Sequence, residues 1–208
     1  LGNEEDDIPE FRERFLMFKD TIQKYHPEIK IIGTSGVDDT GGYYTSLWQF
    51  SKEQKLDAVD EHYYNDPSWF INNNHRYDNF DRNGPKVFIG EYASLDDLLG
   101  NAIAEAAYLT GVERNSDIIQ FACYAPLFAY EENISYRWNP DLIRFNNTQL
   151  VKTASYYVQQ MYGQNAGDEF VANEVVFDNS YTGMPSFKGN AGVGTWNTQA
   201  SFDDFKVV

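Results

Sequence analysis

The sequence predicts an α/β fold built from repeated strand-and-helix units, and three observations predict it. Four short apolar runs, each finishing in polar or aromatic residues, read as parallel strands covered on both faces. They are Lys30–Gly36 (KIIGTSG), Leu56–Tyr64 (LDAVDEHYY), Pro85–Ser94 (PKVFIGEYAS) and Ser116–Phe128 (SDIIQFACYAPLF). Stretches with helical spacing alternate with them, the pattern of βα units. From about Asn165 the chain turns Gly- and Asn-rich, carries short alternating runs and loses any helical stripe, so residues 165–208 read as a β-rich, sandwich-like appendage behind a domain of residues 1–164.

The opening LGNEEDDIPEF reads as a strand that ends at Asn3-Glu4 and a helix that starts soon after. Asp6, Asp7 and Pro9 suit that helix start, since Asp caps free amides and Pro is tolerated in the first turn. Phe11, Phe15, Phe18, Ile22 and Tyr25 then recur at spacings of four and three, one apolar stripe. Leu95, Leu99, Ala102, Ala106 and Leu109 form a second stripe stopped by Gly111; Leu150, Ala154, Tyr157, Val158 and Met161 form a third stopped by Gly163. With the strand ending at Asn3-Glu4 included, five βα units are predicted. A chain that starts at a strand's end reads as a fragment.

Composition narrows the function. At 208 residues, 42% apolar and 16% aromatic, the chain has the make-up of a folded domain. A net charge of −16 argues against nucleic acid and anionic membrane surfaces as partners and is compatible with a neutral substrate. Nothing resembles a membrane span. Cys123 is the sole cysteine, so neither an intrachain disulfide nor a thiolate zinc site can form; its setting in IIQFACYAP predicts a small core residue. Two sequons, at Asn133 and Asn146, become glycan acceptors only in a eukaryotic secretory route.

Catalytic groups of a parallel barrel gather where the C-terminal strand ends converge. Asn3, Glu4, His62, Tyr64 and Glu91 all fall at such ends. A lone glutamate in NE or GE is most simply a solvated acid. Two glutamates at separate strand ends instead point to the paired-carboxylate chemistry of glycoside hydrolysis, in which one carboxyl stays protonated to donate and the other stays ionised to attack. Glu5 adjoins Glu4, but successive side chains at a strand end point to opposite faces. His26 and His75 read as surface residues.

In this order, GNE, DEHYYNDPSWF, VFIGEYA and WNPDLIRFNN…TASYYVQQMYGQNAGD resemble the catalytic half of glycoside hydrolase family 51, the α-L-arabinofuranosidases; the resemblance covers roughly residues 1–167. It implies a (β/α)8 TIM barrel, of which this chain would carry strands four to eight, and a retaining exo-acting enzyme that removes α-L-arabinofuranosyl groups from arabinoxylan, arabinan or related oligosaccharides. It further implies Glu4 as general acid/base, Glu91 as nucleophile, Asn3 as the partner of the sugar 2-hydroxyl, His62 and Tyr64 lining the sugar subsite and holding Glu91, and Trp138 shaping the substrate mouth. No metal or organic cofactor is implied, and secretion is favoured.

Two other readings share these residues: a different retaining barrel glycosidase, such as a β-xylosidase or endoglucanase, and a non-catalytic carbohydrate-binding remnant. The family's first three strands have no counterpart here. Five units leave two open sheet edges, so the short chain is expected to need the missing N-terminal barrel half. The final GVGTWNTQASFDDFKV is similar to the last strands of concanavalin A-like, laminin G-like domains.

Overall fold

The computed structural model describes residues 1–131 and 138–171. The chain divides into two units, Leu1–Ala166 and Gly167–Val208, and every described helix and strand lies in the first. The predicted tail strands fall mostly on 172–208, outside the described residues, as does the Asn133 sequon.

Four strands, β1 (Ile32–Thr34), β2 (Ala58–Asn65), β3 (Lys86–Ser94) and β4 (Ile119–Tyr124), pair in sequence order as one parallel sheet. Helices connect them: α1 (Pro9–Tyr25) precedes β1, α2 (Gly41–Glu53) joins β1 to β2, α3 (Pro67–Asn72) follows β2, and α4 (Leu99–Arg114) joins β3 to β4. A second sheet holds β5 (Phe128–Tyr130), β6 (Ile143–Phe145) and β7 (Leu150–Lys152), with β5 parallel and β7 antiparallel to β6; α5 (Ala154–Gln164) packs on α4.

The core lies between the sheet and its helices. Val59 and Tyr63 of β2 and Val87, Ile89 and Tyr92 of β3 are buried against Ala102, Tyr108 and Leu109 of α4 and Phe70 of α3. Rings dominate: Phe70 and Tyr108 meet edge to face at 5.3 Å, and the Tyr63 hydroxyl bonds those of Tyr77 and Tyr108. A smaller cluster of Phe15, Ile31, Phe50 and Leu56 fastens α1 to α2 and β1; each such apolar side chain contributes about 1.5–3 kcal/mol when buried.

The structure corrects several expectations. Leu1–Glu4 forms no strand; the Leu1 amino group donates to the Ile32 carbonyl and the Thr34 hydroxyl to the Asn3 carbonyl, so the segment runs beside β1 without a ladder. Asp6 and Asp7 do not cap α1, whose N-cap is Ile8; Asp7 instead takes a bidentate pair from Arg12 at 2.7 and 2.9 Å. In the first stripe Phe15 is buried and Phe11 and Ile22 pack beside it, whereas Phe18 and Tyr25 are exposed.

In the second stripe Leu95 and Leu99 are exposed, and α4 runs through Gly111 to Arg114. Gly111 serves close approach instead: a Cβ there would sit 1.9 Å from the Asn74 carbonyl oxygen. In the third, Tyr157 and Met161 are exposed, Val158 is buried, and Leu150 belongs to β7. Cys123 is exposed: among the described residues β4 is the last strand of the sheet, and its middle residues, Phe121 included, are uncovered. The sheet is therefore not covered on both faces along its whole width.

Helices α2 and α3 carry weak sequence signals. α2 starts at Gly41-Gly42 and mixes Tyr, Thr and Ser among its buried Leu47, Trp48 and Phe50. α3 is six residues long, started by Pro67 and capped by Asp66, whose carboxylate accepts from the amides of Ser68 and Trp69.

Candidate active site

Alternation along β2 sorts its polar residues. Glu61 and Tyr63 point to the helix layer. There Glu61 accepts from the Tyr44 hydroxyl at 2.7 Å, Trp48 Nε1 at 2.9 Å and the Tyr77 hydroxyl at 2.6 Å, and faces the Arg76 guanidinium at 3.3 Å. Asp60, His62 and Tyr64 point to the opposite face, where the polar cluster forms.

On β3 the same rule would fail. Val87 and Ile89 are buried against the helices, so strict alternation would send Glu91 there too. The register prevents it: Glu61 pairs with Ile89 and His62 with Glu91, which leaves Gly90 as an extra residue, a β-bulge. Glu91 is thereby turned onto the face of His62 and Tyr64, and Tyr92 resumes the buried side.

His62 stands at the centre. Its Nδ1 lies 3.1 Å from Glu4 Oε1 and 3.7 Å from Glu91 Oε1, and its Nε2 lies 3.1 Å from Asp60 Oδ2. The facing atoms of Glu4, His62 and Glu91 all fall within 4.8 Å of one another. Glu91 also accepts from the Tyr64 hydroxyl at 2.6 Å, and the Tyr64 ring meets Trp138 edge to face at 5.4 Å. His62 is buried, while the Glu4 and Glu91 side chains are each 34% exposed, open enough to meet a ligand.

Burial by itself would lower the His62 pKa. Hydrogen bonds to Asp60 and Glu4, with the charges of Asp60 and Glu91, override burial and hold the imidazole up at about 9. A cationic ring donates from both nitrogens, Nε2 to an oxygen of Asp60 and Nδ1 to an oxygen of Glu4. Glu4, His62 and Glu91 are the one grouping among the described residues with donor types and spacing that could hold a cation.

Of the predicted residues, Glu4, His62, Tyr64, Glu91 and Trp138 come together here. Asn3 is exposed next to Glu4, and its carbonyl is held by Thr34. Glu5 is exposed and stands outside the cluster, and His26 and His75 lie at the surface. Asp60 and Gly90 were not singled out. The signal for Asp60 was its i, i+2, i+4 relation to His62 and Tyr64; for Gly90 it was a glycine inside a strand, a mark of a bulge or a close backbone approach.

Residues 81–202 match the family model of the α-L-arabinofuranosidase C-terminal domain and residues 1–82 that of the α-L-arabinofuranosidase 1 domain. The chain is 42% identical over 208 residues to an extracellular exo-α-L-arabinofuranosidase of Streptomyces chartreusis, covering 100% of this chain and 25% of that protein. It is 37% identical over 172 residues to α-L-arabinofuranosidase 1 of Arabidopsis thaliana, covering 80% of this chain and 24% of the relative. The chain thus spans about a quarter of the length of these curated relatives.

Among solved structures, an arabinose-bound family 51 α-L-arabinofuranosidase superposes with a TM-score of 0.65 at 32% identity, over 75% of this chain and 26% of that one. The Thermotoga maritima α-L-arabinofuranosidase in complex with arabinose, with a TM-score of 0.53 at 16% identity over 73% of this chain and 34% of that one, shares the fold. With models of this family matching from one end of the chain almost to the other, the chain belongs to glycoside hydrolase family 51, the α-L-arabinofuranosidases.

Proposed function

We propose that this chain carries the catalytic carboxylates of a retaining exo-acting α-L-arabinofuranosidase, with Glu4 as general acid/base and Glu91 as nucleophile. One observation carries the reading: Glu4 and Glu91 each turn one oxygen to the same point beside His62, the two oxygens within 4.8 Å of each other. Retaining glycosidases set their carboxyl groups about 5–5.5 Å apart, inverting ones about 6.5–9.5 Å.

In the first step Glu4 protonates the glycosidic oxygen as the bond to the anomeric carbon breaks, and Glu91 attacks that carbon from the other side. This yields a glycosyl ester and the free alcohol. In the second step Glu4, now ionised, takes a proton from water, the water oxygen attacks the anomeric carbon, and the Glu91 carboxylate leaves. Tyr64 holds Oε2 of Glu91, which leaves Oε1, on the His62 side, for the attack. Asn3 bonds the 2-hydroxyl and Trp138 forms one wall of the mouth.

The parallel sheet stands, on this reading, as later strands of a (β/α)8 barrel, with the Leu1–Glu4 segment running beside β1. The N-terminal barrel half, from the rest of the protein, closes it. Substrates are arabinose-containing oligo- or polysaccharides met outside the cell, consistent with the extracellular Streptomyces relative; no helix among the described residues is long and apolar enough to cross a membrane.

The test is hydrolysis of 4-nitrophenyl α-L-arabinofuranoside by the intact protein that carries this sequence. Glu91→Ala should abolish turnover, and added azide should restore it by attacking in place of the lost carboxylate. Preference for a β-xyloside in an aryl glycoside panel would move the enzyme to another substrate class. Sugar binding without turnover of any glycoside would leave a binding remnant.

A further inference from the structure

Asp60 is a carboxylate with one hydrogen-bond partner among the described residues, His62 Nε2 at 3.1 Å. Its other oxygen, Oδ1, is buried without a partner. An arrangement that leaves half of a carboxylate unsatisfied is unfavourable unless a nearby positive charge offsets it. The backbone is shaped to admit it: a Cβ on Gly90 would lie 2.1 Å from Asp60 Oδ1 and 3.0 Å from His62 Nε2. The bulge glycine of β3 thus turns Glu91 toward the site and also leaves the space in which Asp60 meets His62.

Resting on the arabinofuranosidase reading above, we propose that Asp60 is a positioning residue of the active site: through His62 Nε2 it aims Nδ1 at Glu4 and Glu91. With Nε2 held by a carboxylate, the ring cannot rotate without losing that bond, and Nδ1 faces both glutamates. A positive charge at that place favours ionised Glu91 for attack, makes the proton that Glu4 donates in the first step more acidic, and supports Glu4 in the second, when it carries negative charge. His62 is faced by Glu4 from the segment before α1, Asp60 on its own strand, Glu91 on β3 with the Tyr64 phenol beyond it, and, acting on Asp60, the Cys123 thiol of β4.

Asp60→Asn keeps an oxygen for Nε2 but removes the charge; Asp60→Ala removes both. In the intact enzyme, kcat and KM on 4-nitrophenyl α-L-arabinofuranoside are measured against pH, with the His62 imidazole titrated by nuclear magnetic resonance in the same proteins. Asp60→Asn should lower kcat at least tenfold with KM changed less than about threefold, since charge acts on the transition state more than on the ground state. Its alkaline limb and the His62 titration should move together toward lower pH by a unit or more. Asp60→Ala should add a further loss in kcat.

An Asp60→Asn enzyme whose His62 titration and alkaline limb stay in place overturns the proposal, even if it melts earlier, since that is what a purely structural aspartate would give. Inactivity of the unsubstituted enzyme on arabinofuranosides would defeat the functional reading alone. The His62 titration would still decide whether Asp60 controls the imidazole.

Discussion

The Tyr64 hydroxyl donates to Oε2 of Glu91 across the β2–β3 pair at 2.6 Å, a short charge-assisted bond that leaves Oε1 facing His62. Tyr64→Phe deletes this donor and keeps the ring against Trp138. In the intact enzyme kcat should fall about 10- to 100-fold, equivalent to about 1.4–2.8 kcal/mol, while the melting temperature stays within a few degrees. Steady-state kinetics on an aryl arabinofuranoside checks it; an unchanged kcat would show that Glu91 does not depend on the phenol.

Glu61, one residue from His62 but on the other face, should behave in the opposite way. Glu61→Ala leaves the Arg76 guanidinium buried without its carboxylate, a loss of about 3–5 kcal/mol. Urea unfolding should show that loss, and any drop in activity should track the folded fraction.

Two glycines of α4 should respond with opposite signs. Alanine is favoured over glycine in a helix by about 1 kcal/mol, so Gly100→Ala, with nothing within 4 Å of the new Cβ, should be neutral or stabilising. Gly111→Ala puts a methyl onto the Asn74 carbonyl and should destabilise by about 1–3 kcal/mol or more despite the helical gain. Thermal unfolding of the pair, side by side, separates helix propensity from close packing.

Glu105 of α4 is fully buried, and burial pushes its carboxyl up from 4.5 to about 7, against the opposing bonds from Ser155 and the Ser94 amide. A carboxyl with a raised folded pKa holds its proton more tightly when folded. Its contribution to stability is therefore complete below pH 4.5 and lost as pH rises through about 7. Glu105→Gln keeps the shape and cannot ionise, so its urea midpoint should fall less between pH 5 and 7.5 than that of the unsubstituted protein. Parallel pH dependence of the two would contradict this.

Much of the sheet could be read directly, because buried parallel strands are short continuous apolar runs with little competing pattern. The helices were less legible. α4 is buried on most of its surface by α3, α5 and the sheet, so no single stripe describes it, and Gly111 lies inside it because a neighbouring turn passes too close for a side chain. Cys123 looked like core because its neighbours are apolar, but apolar sequence does not reveal that β4 stands at a sheet edge.

By itself the sequence determined which side chains are candidates for the site. Glu4, His62, Tyr64 and Glu91 are chemically suited to sugar hydrolysis, and they stand at or near the ends of apolar runs, where side chains become available. Tertiary structure decided which way they face and what stands behind them. A period of two places Glu91 on the helix side with Val87 and Ile89; only pairing with β2 inserts Gly90 as the extra residue and reverses it. Asp60 acquires its place for the same reason, since the space it occupies exists only where a second strand brings a residue without a Cβ against it.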